Sequence, residues 1–300
     1  MLKDEILKLK KEKNAVILGH SYQNLEIDEV ADFVGDSLYL SQMAGKTDAD
    51  IIVFAGVYFM AQTAKIISPN KKVLLPNMQS GCLMADMIDL NQLREFKAKN
   101  KDVPVVCYVN STAEVKSECD VCCTSSNALK VVKNLGVPEV LFVPDTYLGK
   151  WVESQLGNVK VNTYNGFCPT HLRIKAEDVL DARKKYPDAE ILAHPECHKG
   201  VCDLADFVGS TTAIMKYAKD SDKKTFVIAT EKGVVDRLKR DFPEKEFVLI
   251  KENIICPNMK HNTLEDIYSV LKNENNEILV DEEISKKALN CINKMFEVCK

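Results

Sequence analysis

The chain has 300 residues, of which 46% are hydrophobic and 28% charged, and its formal net charge is −4. This composition is typical of a soluble globular protein of roughly two ordinary domains, not of a disordered chain. The negative charge argues against nucleic-acid binding, no apolar run is long enough to span a bilayer, and no apolar signal segment follows the charged N-terminus. We therefore expect a cytoplasmic protein.

Short runs of β-branched residues alternate along the chain with amphipathic stretches, after an N-terminal segment, 1–13, that predicts a helix. The predicted strands are 15–19, 51–55, 72–75, 103–109, 140–143, 159–162, 190–193, 225–229 and 246–250. The predicted helices are 26–34, 57–67, 90–101, 126–135, 175–186 and 233–240, with a last one in 281–300. Alternating strands and helices are typical of βαβ units with parallel sheets.

Three parts of the sequence share four landmarks at nearly constant spacing. Three aromatic residues lie at or next to the ends of predicted strands: His20, Tyr108 and His194. A hydroxyl residue follows each of them by 17 positions: Ser37, Ser125 and Thr211. Nineteen residues further on, the next strand of each part has just ended: the residues there are Gly56, Pro144 and Thr230. A cysteine then follows the third strand in each part: Cys82, Cys168 and Cys256. This pattern predicts three homologous βαβαβ repeats of about 85 residues.

The repeats predict an α/β protein built from three homologous three-layer αβα domains with parallel sheets. We expect the first domain, with an N-terminal helix, at 1–101, the second at 102–186, and the third, with the C-terminal helices, at 187–300. Ligands of such sheets bind beyond the carboxyl ends of the strands. Three domains related by a pseudo-threefold axis would therefore share one active site at their central interface.

The repeated cysteines, Cys82, Cys168 and Cys256, predict a metal centre with three thiolate ligands and one open position. A 4Fe-4S cluster and a zinc site both fit this donor set, although dispersed single cysteines suit a cluster slightly better. The other cysteines do not recur at the repeat spacing. We interpret them as small apolar residues: Cys107, Cys119, Cys122, Cys123, Cys197, Cys202, Cys291 and Cys299.

The repeated hydroxyls each precede a predicted helix, and two interpretations are open for them. Taken singly, Ser37, Ser125 and Thr211 would be helix N-caps. Taken together, they would bring three helix N-termini to one axis. Helix dipoles and free N–H groups would then form a site for a phosphate or a dicarboxylate.

Polar residues two positions apart follow the first strand of each repeat: His20 with Tyr22, Tyr108 with Asn110, and His194 with Glu196. Alternate residues of an extended chain point to the same side, so each pair can face the cavity. This set suits general acid–base chemistry and carboxylate binding. The other histidines have no equivalents in the repeats, and we expect them at the surface or behind the site residues: His171, His198 and His261.

Several motifs resemble those of the quinolinate synthase family, from about Ala15 to Leu264. The matching segments are Gly19-His20-Ser21-Tyr22-Gln23, Ala31-Asp32-Phe33-Val34-Gly35-Asp36-Ser37, Tyr108-Val109-Asn110-Ser111-Thr112, Thr124-Ser125-Ser126-Asn127-Ala128, Gly166-Phe167-Cys168-Pro169-Thr170-His171, His194-Pro195-Glu196-Cys197, Val208-Gly209-Ser210-Thr211 and Cys256-Pro257-Asn258-Met259-Lys260. As a set these motifs are specific to the family.

The resemblance implies three α/β domains around one oxygen-sensitive 4Fe-4S cluster, whose cysteine ligands match Cys82, Cys168 and Cys256. It implies the condensation of iminoaspartate (iminosuccinate) with dihydroxyacetone phosphate to quinolinate, phosphate and water in de novo NAD biosynthesis. The open iron would act as a Lewis acid. The expected partners are the two small substrates and, transiently, an enzyme that produces iminoaspartate, but neither nucleic acid nor a membrane.

The resemblance also assigns roles to residues. The substrate-binding positions match His20, Ser37, Tyr108, Val109, Asn110, Ser125, His194, Pro195, Glu196 and Thr211. The implied catalytic residues are Tyr22, Tyr108, His194 and Glu196. Some bacterial members carry a CxxCxxC motif around the third ligand, but Cys256 has no such neighbours, so that redox feature is not expected. Two alternatives remain: another 4Fe-4S hydro-lyase, and a non-catalytic three-cysteine metal sensor.

Overall fold

Twelve strands form three parallel sheets of four strands each in the computed structural model, which describes all 300 residues. The first sheet contains β1 (Ala15–His20), β2 (Phe33–Gly35), β3 (Ile51–Ala55) and β4 (Lys72–Leu74). The second contains β5 (Val105–Tyr108), β6 (Val121–Cys123), β7 (Glu139–Val143) and β8 (Lys160–Thr163). The third contains β9 (Glu190–Ala193), β10 (Phe207–Val208), β11 (Thr225–Ala229) and β12 (Glu246–Leu249).

Helices follow nearly every strand. Five helices precede β5 in the chain: α1 (Leu2–Glu12), α2 (Leu25–Asp28), α3 (Ser37–Lys46), α4 (Tyr58–Ile67) and α5 (Leu90–Ala98). The next are α6 (Ala113–Ser117), α7 (Ala128–Leu135), α8 (Thr146–Leu156) and α9 (Ala176–Lys185). The last are α10 (Lys199–Leu204), α11 (Thr211–Asp220), α12 (Lys232–Asp241), α13 (Leu264–Asn273) and α14 (Glu282–Glu297). No helix is long and apolar enough to cross a membrane.

The three sheets share one topology. Their strand orders are β2-β1-β3-β4, β6-β5-β7-β8 and β10-β9-β11-β12, and neighbouring strands are parallel throughout. In the second sheet, for example, Cys107 of β5 lies opposite Cys122 of β6 and Val143 of β7. The predicted α/β class with helix-flanked parallel sheets is confirmed. The pseudo-threefold relation and the boundaries 1–101, 102–186 and 187–300 stay predictions.

Each sheet has one strand more than the three that the βαβαβ pattern predicted. The additional strands β2, β6 and β10 have only two or three residues each, so hydrophobic periodicity cannot reveal them. The predicted C-terminal boundary of the helix 26–34 is also wrong. Helix α2 stops at Asp28, and Phe33 already lies in β2.

The central strands are apolar along their length because helices cover both faces of each sheet. All five residues of β3 and all four of β5 are buried. The largest buried cluster joins the first two sheets and α14, whereas the third sheet has separate clusters. The C-terminal helices pack away from the third sheet: α13 contacts α1 and β3, and α14 contacts α6 and β6.

Candidate active site

One cavity collects residues that follow the strands of all three sheets. The volume inside it is about 110 Å³. Twelve predicted site residues line it: His20, Tyr22, Ser37, Cys82, Tyr108, Asn110, Ser125, Cys168, His194, Glu196, Thr211 and Cys256. The two others do not line the cavity. Val109 belongs to the apolar core, and Pro195 is buried between His194 and Glu196.

Cys82, Cys168 and Cys256 reach the cavity from equivalent loops. Each follows the last strand of its sheet and lies just before a short 3₁₀ turn. Burial raises the pKa of the Cys82 thiol to about 12 and also raises the pKa values of Cys168 and Cys256. A thiolate in this cavity therefore needs a compensating cation, and three soft sulfur donors fit a metal cofactor.

Glu196 lies at the centre of a buried polar network in the cavity. Its Oε1 accepts a hydrogen bond from the Tyr108 hydroxyl at 2.6 Å, and its Oε2 lies 2.8 Å from Nδ1 of His171. The same Nδ1 lies 3.2 Å from Sγ of Cys168. Donor atoms of Cys168, His171 and Glu196 all lie within 4.8 Å of one another, an arrangement that could hold a metal ion. Cys168, a predicted metal ligand, therefore lies next to Glu196, a predicted acid–base group.

The pKa of Glu196 is lowered although the side chain is buried. Burial alone would raise it, but interactions with His194 and His171 and hydrogen bonds from His171 and Tyr108 outweigh burial. Glu196 is therefore a carboxylate at neutral pH and can accept a proton. Burial and the neighbouring Glu196 charge raise the pKa of Tyr108, so its phenol stays protonated and remains a hydrogen-bond donor.

The phenol of Tyr22 contacts two threonines of the third sheet's loops. Thr211 donates from Oγ1 to the Tyr22 hydroxyl at 3.1 Å, and Oγ1 of Thr230 lies 3.1 Å from the same oxygen. Thr230 Oγ1 also lies 2.8 Å from Nε2 of His171. A continuous chain of hydrogen-bonding groups therefore joins Tyr22 to Glu196. Burial raises the pKa of Tyr22, so its hydroxyl carries a proton at neutral pH.

Arg237 of α12 anchors the loop that carries Tyr22. Its buried guanidinium donates to the carbonyl oxygens of Ser21 at 2.7 Å and Gln23 at 2.9 Å, the residues on either side of Tyr22. It also pairs with Asp28 of α2. This contact ties the loop after β1 to the third sheet's helix layer, which fixes the position of Tyr22 in the cavity.

The cavity hydroxyls Ser37 and Thr211 are the first residues of their helices and Ser125 lies in the turn before α7, so none of them is an N-cap. The cap of α3 is Asp36, which precedes Ser37, and the cap of α11 is Ser210, which precedes Thr211. Helix α7 begins after Asn127, beyond Ser125. The capping interpretation is therefore wrong for all three hydroxyls. They face the cavity beside helix N-termini, where an anion is favoured.

His20 and His194 have the same local geometry in two different sheets. Nδ1 of His20 accepts the backbone N–H of Tyr22 at 3.1 Å, and Nδ1 of His194 accepts that of Glu196 at 3.3 Å. Burial lowers the pKa of His20 to about 3 and that of His194 to about 4. Both rings are therefore neutral at pH 7, and Nε2 of His194 lies 3.2 Å from the Ser125 hydroxyl.

The free energy of unfolding should decrease as the pH falls below 6.5, because His20 is neutral in the fold. Its pKa is about 3 when folded against 6.5 when unfolded, so only the unfolded chain gains a proton in this range. The expected contribution between pH 7 and pH 5 is about 2 kcal/mol. His20→Asn retains an acceptor for the Tyr22 N–H and should remove this contribution in urea unfolding at the two pH values. The same pH dependence in both proteins would contradict this assignment.

Comparison with known proteins gives the family. The model described as NadA: Quinolinate synthetase A protein matches residues 4–297. The chain belongs to this family. Relatives named quinolinate synthase are 56% identical over 295 residues (Alkaliphilus metalliredigens), 48% over 293 (Thermodesulfovibrio yellowstonii) and 47% over 294 (Clostridioides difficile). Each alignment covers 98% of this chain and 97% of the relative. The resemblance seen in the motifs is confirmed, and the chain is a member of an enzyme family.

His171 is a site residue that the sequence did not reveal. We expected it at the surface or behind the site, but it is 1% exposed, lines the cavity and contacts both Cys168 and Glu196. Two signals in the sequence point to it: its position three residues after Cys168, where the 3₁₀ turn begins, and its place in the family motif that contains Cys168. The other two histidines lie outside this network: His198 is exposed and His261 is half-buried.

The cysteines beyond Cys82, Cys168 and Cys256 do not line the cavity. Five are buried, as expected for small apolar residues: Cys107, Cys122, Cys123, Cys197 and Cys291. Sγ of Cys122 in β6 lies 3.2 Å from Sγ of Cys291 in α14, where the C-terminal helix packs on the second sheet. The remaining three are half-buried: Cys119, Cys202 and Cys299.

Proposed function

We propose that the protein is a cytoplasmic quinolinate synthase. It condenses iminoaspartate with dihydroxyacetone phosphate and releases quinolinate, phosphate and water for NAD biosynthesis. The observation that carries the proposal is the convergence of three cysteines, three helix-start hydroxyls and the Tyr108–Glu196–His171 network on one cavity. Membership of the quinolinate synthetase A family supports the same reaction.

Cys82, Cys168 and Cys256 would hold one 4Fe-4S cluster. The donor chemistry fits, because these are the three cysteines that line the cavity and each lies on a separate loop. Three thiolates on a four-iron cluster leave one iron open to substrate. When bound, the cluster supplies Lewis acidity to a substrate oxygen or nitrogen. Loss of protons from the three thiols accompanies cluster binding.

The polar groups of the cavity suit two anionic substrates. Ser37, Ser125 and Thr211, together with their helix N-termini, would bind the phosphate group of the triose. The side-chain N–H groups of Asn110, assisted by Nε2 of His194, would donate to a carboxylate of iminoaspartate beside Tyr108, whose own hydroxyl donates to Glu196. The buried side-chain oxygen of Asn110 has no hydrogen-bond partner in the protein, so a substrate donor can satisfy it.

Glu196 and Tyr22 are the proposed proton-transfer groups. Glu196 is ionised and buried next to His171, so it can take a proton from substrate without competition from bulk water. Tyr22 is protonated and reaches Glu196 through Thr230 and His171. A proton taken up at Glu196 can therefore be returned to a leaving hydroxyl group from the Tyr22 end of the same chain.

Protein purified without oxygen should form quinolinate when both substrates are supplied. Liquid chromatography with mass spectrometry detects the product, and a phosphate assay should give one phosphate for each quinolinate. Reactions without dihydroxyacetone phosphate are the control that separates this activity from another hydro-lyase. Iron-loaded protein that forms no quinolinate with both substrates present would contradict the proposed function. Equal iron and sulfide contents separate a 4Fe-4S centre from zinc.

A further inference from the structure

Three polar side chains, one beside each cavity hydroxyl, are joined by hydrogen bonds: two hydroxyls donate to one carboxylate. Oδ2 of Asp36 accepts hydrogen bonds from the Ser126 hydroxyl and the Thr212 hydroxyl, both at 2.7 Å. Asp36 precedes Ser37, whereas Ser126 follows Ser125 and Thr212 follows Thr211 in the sequence. We name Asp36, Ser126 and Thr212 the Asp36 junction. It joins the segments that follow the edge strands β2, β6 and β10 of the three sheets.

The Asp36 junction is part of the cavity wall. Asp36 and Ser126 line the cavity, and all three residues also line a surface groove next to α3 and α11. Asp36 is 8% exposed, while Ser126 and Thr212 are exposed on the groove side. The two hydroxyl–carboxylate bonds therefore close the cavity at the point where the three helix starts approach one another.

Both oxygens of Asp36 are already used within the protein. Oδ1 caps α3 by accepting the backbone N–H of Tyr39 at 3.0 Å, and Oδ2 accepts the two hydroxyls. A carboxylate also repels an anionic ligand. Asp36 is therefore unsuited to bind phosphate itself, although it lies beside the residues proposed to do so.

We infer that Asp36 is a positioning residue for the anion site. Its carboxylate fixes three helix starts relative to one another, so that Ser37, Ser125 and Thr211 converge on one ligand. The inference depends on the proposed function for the identity of that ligand, the phosphate group of a substrate. Asp36 acts through the neighbouring residues and does not contact the reacting atoms.

Loss of the Asp36 charge and loss of its positioning role should change the affinity for phosphate in opposite directions. The direction of the measured change therefore tests the inference. Asp36→Ser removes a negative charge beside the anion site, which by itself would tighten phosphate binding. Serine is also a good N-cap, so α3 keeps its cap, but the shorter side chain cannot reach both hydroxyls. If Asp36 positions the three helix starts, the variant should bind phosphate about tenfold more weakly despite the lost charge.

The experiment measures inorganic phosphate binding by calorimetry on anaerobic, iron-loaded protein. Thr212→Val should weaken binding in the same direction as Asp36→Ser, and Thr212→Ser, which keeps the hydroxyl, should restore it. The matched control is Asp89→Ser at the N-cap of α5, where Asp89 accepts the backbone N–H of Gln92. This control changes a cap in the same way and should leave phosphate affinity unchanged.

Steady-state kinetics gives a second readout that a purely structural role would not change. Asp36→Ser should raise KM for dihydroxyacetone phosphate about tenfold and leave KM for iminoaspartate nearly unchanged. Unchanged or tighter phosphate binding in Asp36→Ser, or no phosphate binding by the unaltered protein, would overturn the inference. Absence of quinolinate formation would instead overturn the proposed function, and the phosphate affinities would still decide the role of Asp36.

Discussion

Replacing Cys168 with alanine should abolish the proposed iron–sulfur centre and, with it, the proposed formation of quinolinate. Three cysteines line the cavity, and none of the other eight does. Iron and acid-labile sulfide in the anaerobically purified variant should therefore fall to background, together with the visible absorbance of the cluster. Cys82→Ala and Cys256→Ala should give the same result, because the three loops contribute equivalent donors.

The matched control for this prediction is Cys291→Ser in α14. Cys291 is as buried as a core residue and contacts Cys122, but it lies outside the cavity. Its replacement should lower the melting temperature while iron, sulfide and turnover per iron stay unchanged. Full iron and sulfide contents in any one of the three cavity variants would show that the corresponding cysteine is not a ligand. Stoichiometric zinc without sulfide would identify the centre as a zinc site.

Most of the cavity could be predicted because its residues recur at a fixed distance from strand ends. In parallel α/β sheets the carboxyl ends of the strands meet at one edge. Residues at equivalent positions of three repeats, such as His20, Tyr108 and His194, therefore arrive at equivalent places. The spacing of 86 and 88 residues is readable in the sequence without any knowledge of side-chain contacts. The loop cysteines follow the same rule.

The sequence could not predict features that depend on single contacts between sheets. His171 has no counterpart in the other repeats, and only the packing of its loop against Glu196 makes it part of the site. The Asp36 junction likewise joins residues about 90 and 176 positions apart, and each of its members is an ordinary polar residue of a helix start. Sequence patterns also locate helix boundaries only to within a residue or two. The sequence therefore suggested Ser37 as the cap of α3, whereas the structure has Asp36.

Replacing Glu196 with glutamine should lower turnover at least about 100-fold, the usual contribution of a positioned acid or base. Glutamine retains the length of glutamate and an oxygen that accepts the Tyr108 hydroxyl. Its amide can also donate to Nδ1 of His171 if that ring changes tautomer, so the network around it can persist. The substitution removes the negative charge and, with it, the group that can accept a proton at neutral pH.

The decisive measurement for Glu196→Gln compares turnover per iron with iron content and substrate affinity in one preparation. A structural role for the carboxylate would reduce iron content or raise KM, since Glu196 adjoins His171 and Cys168. A proton-transfer role lowers kcat while both other values stay nearly unchanged. Glu265→Gln on the exposed surface of α13 makes the same chemical change outside the cavity and should behave like the unaltered protein. A Glu196→Gln variant that keeps most of its turnover would exclude the carboxylate as the base.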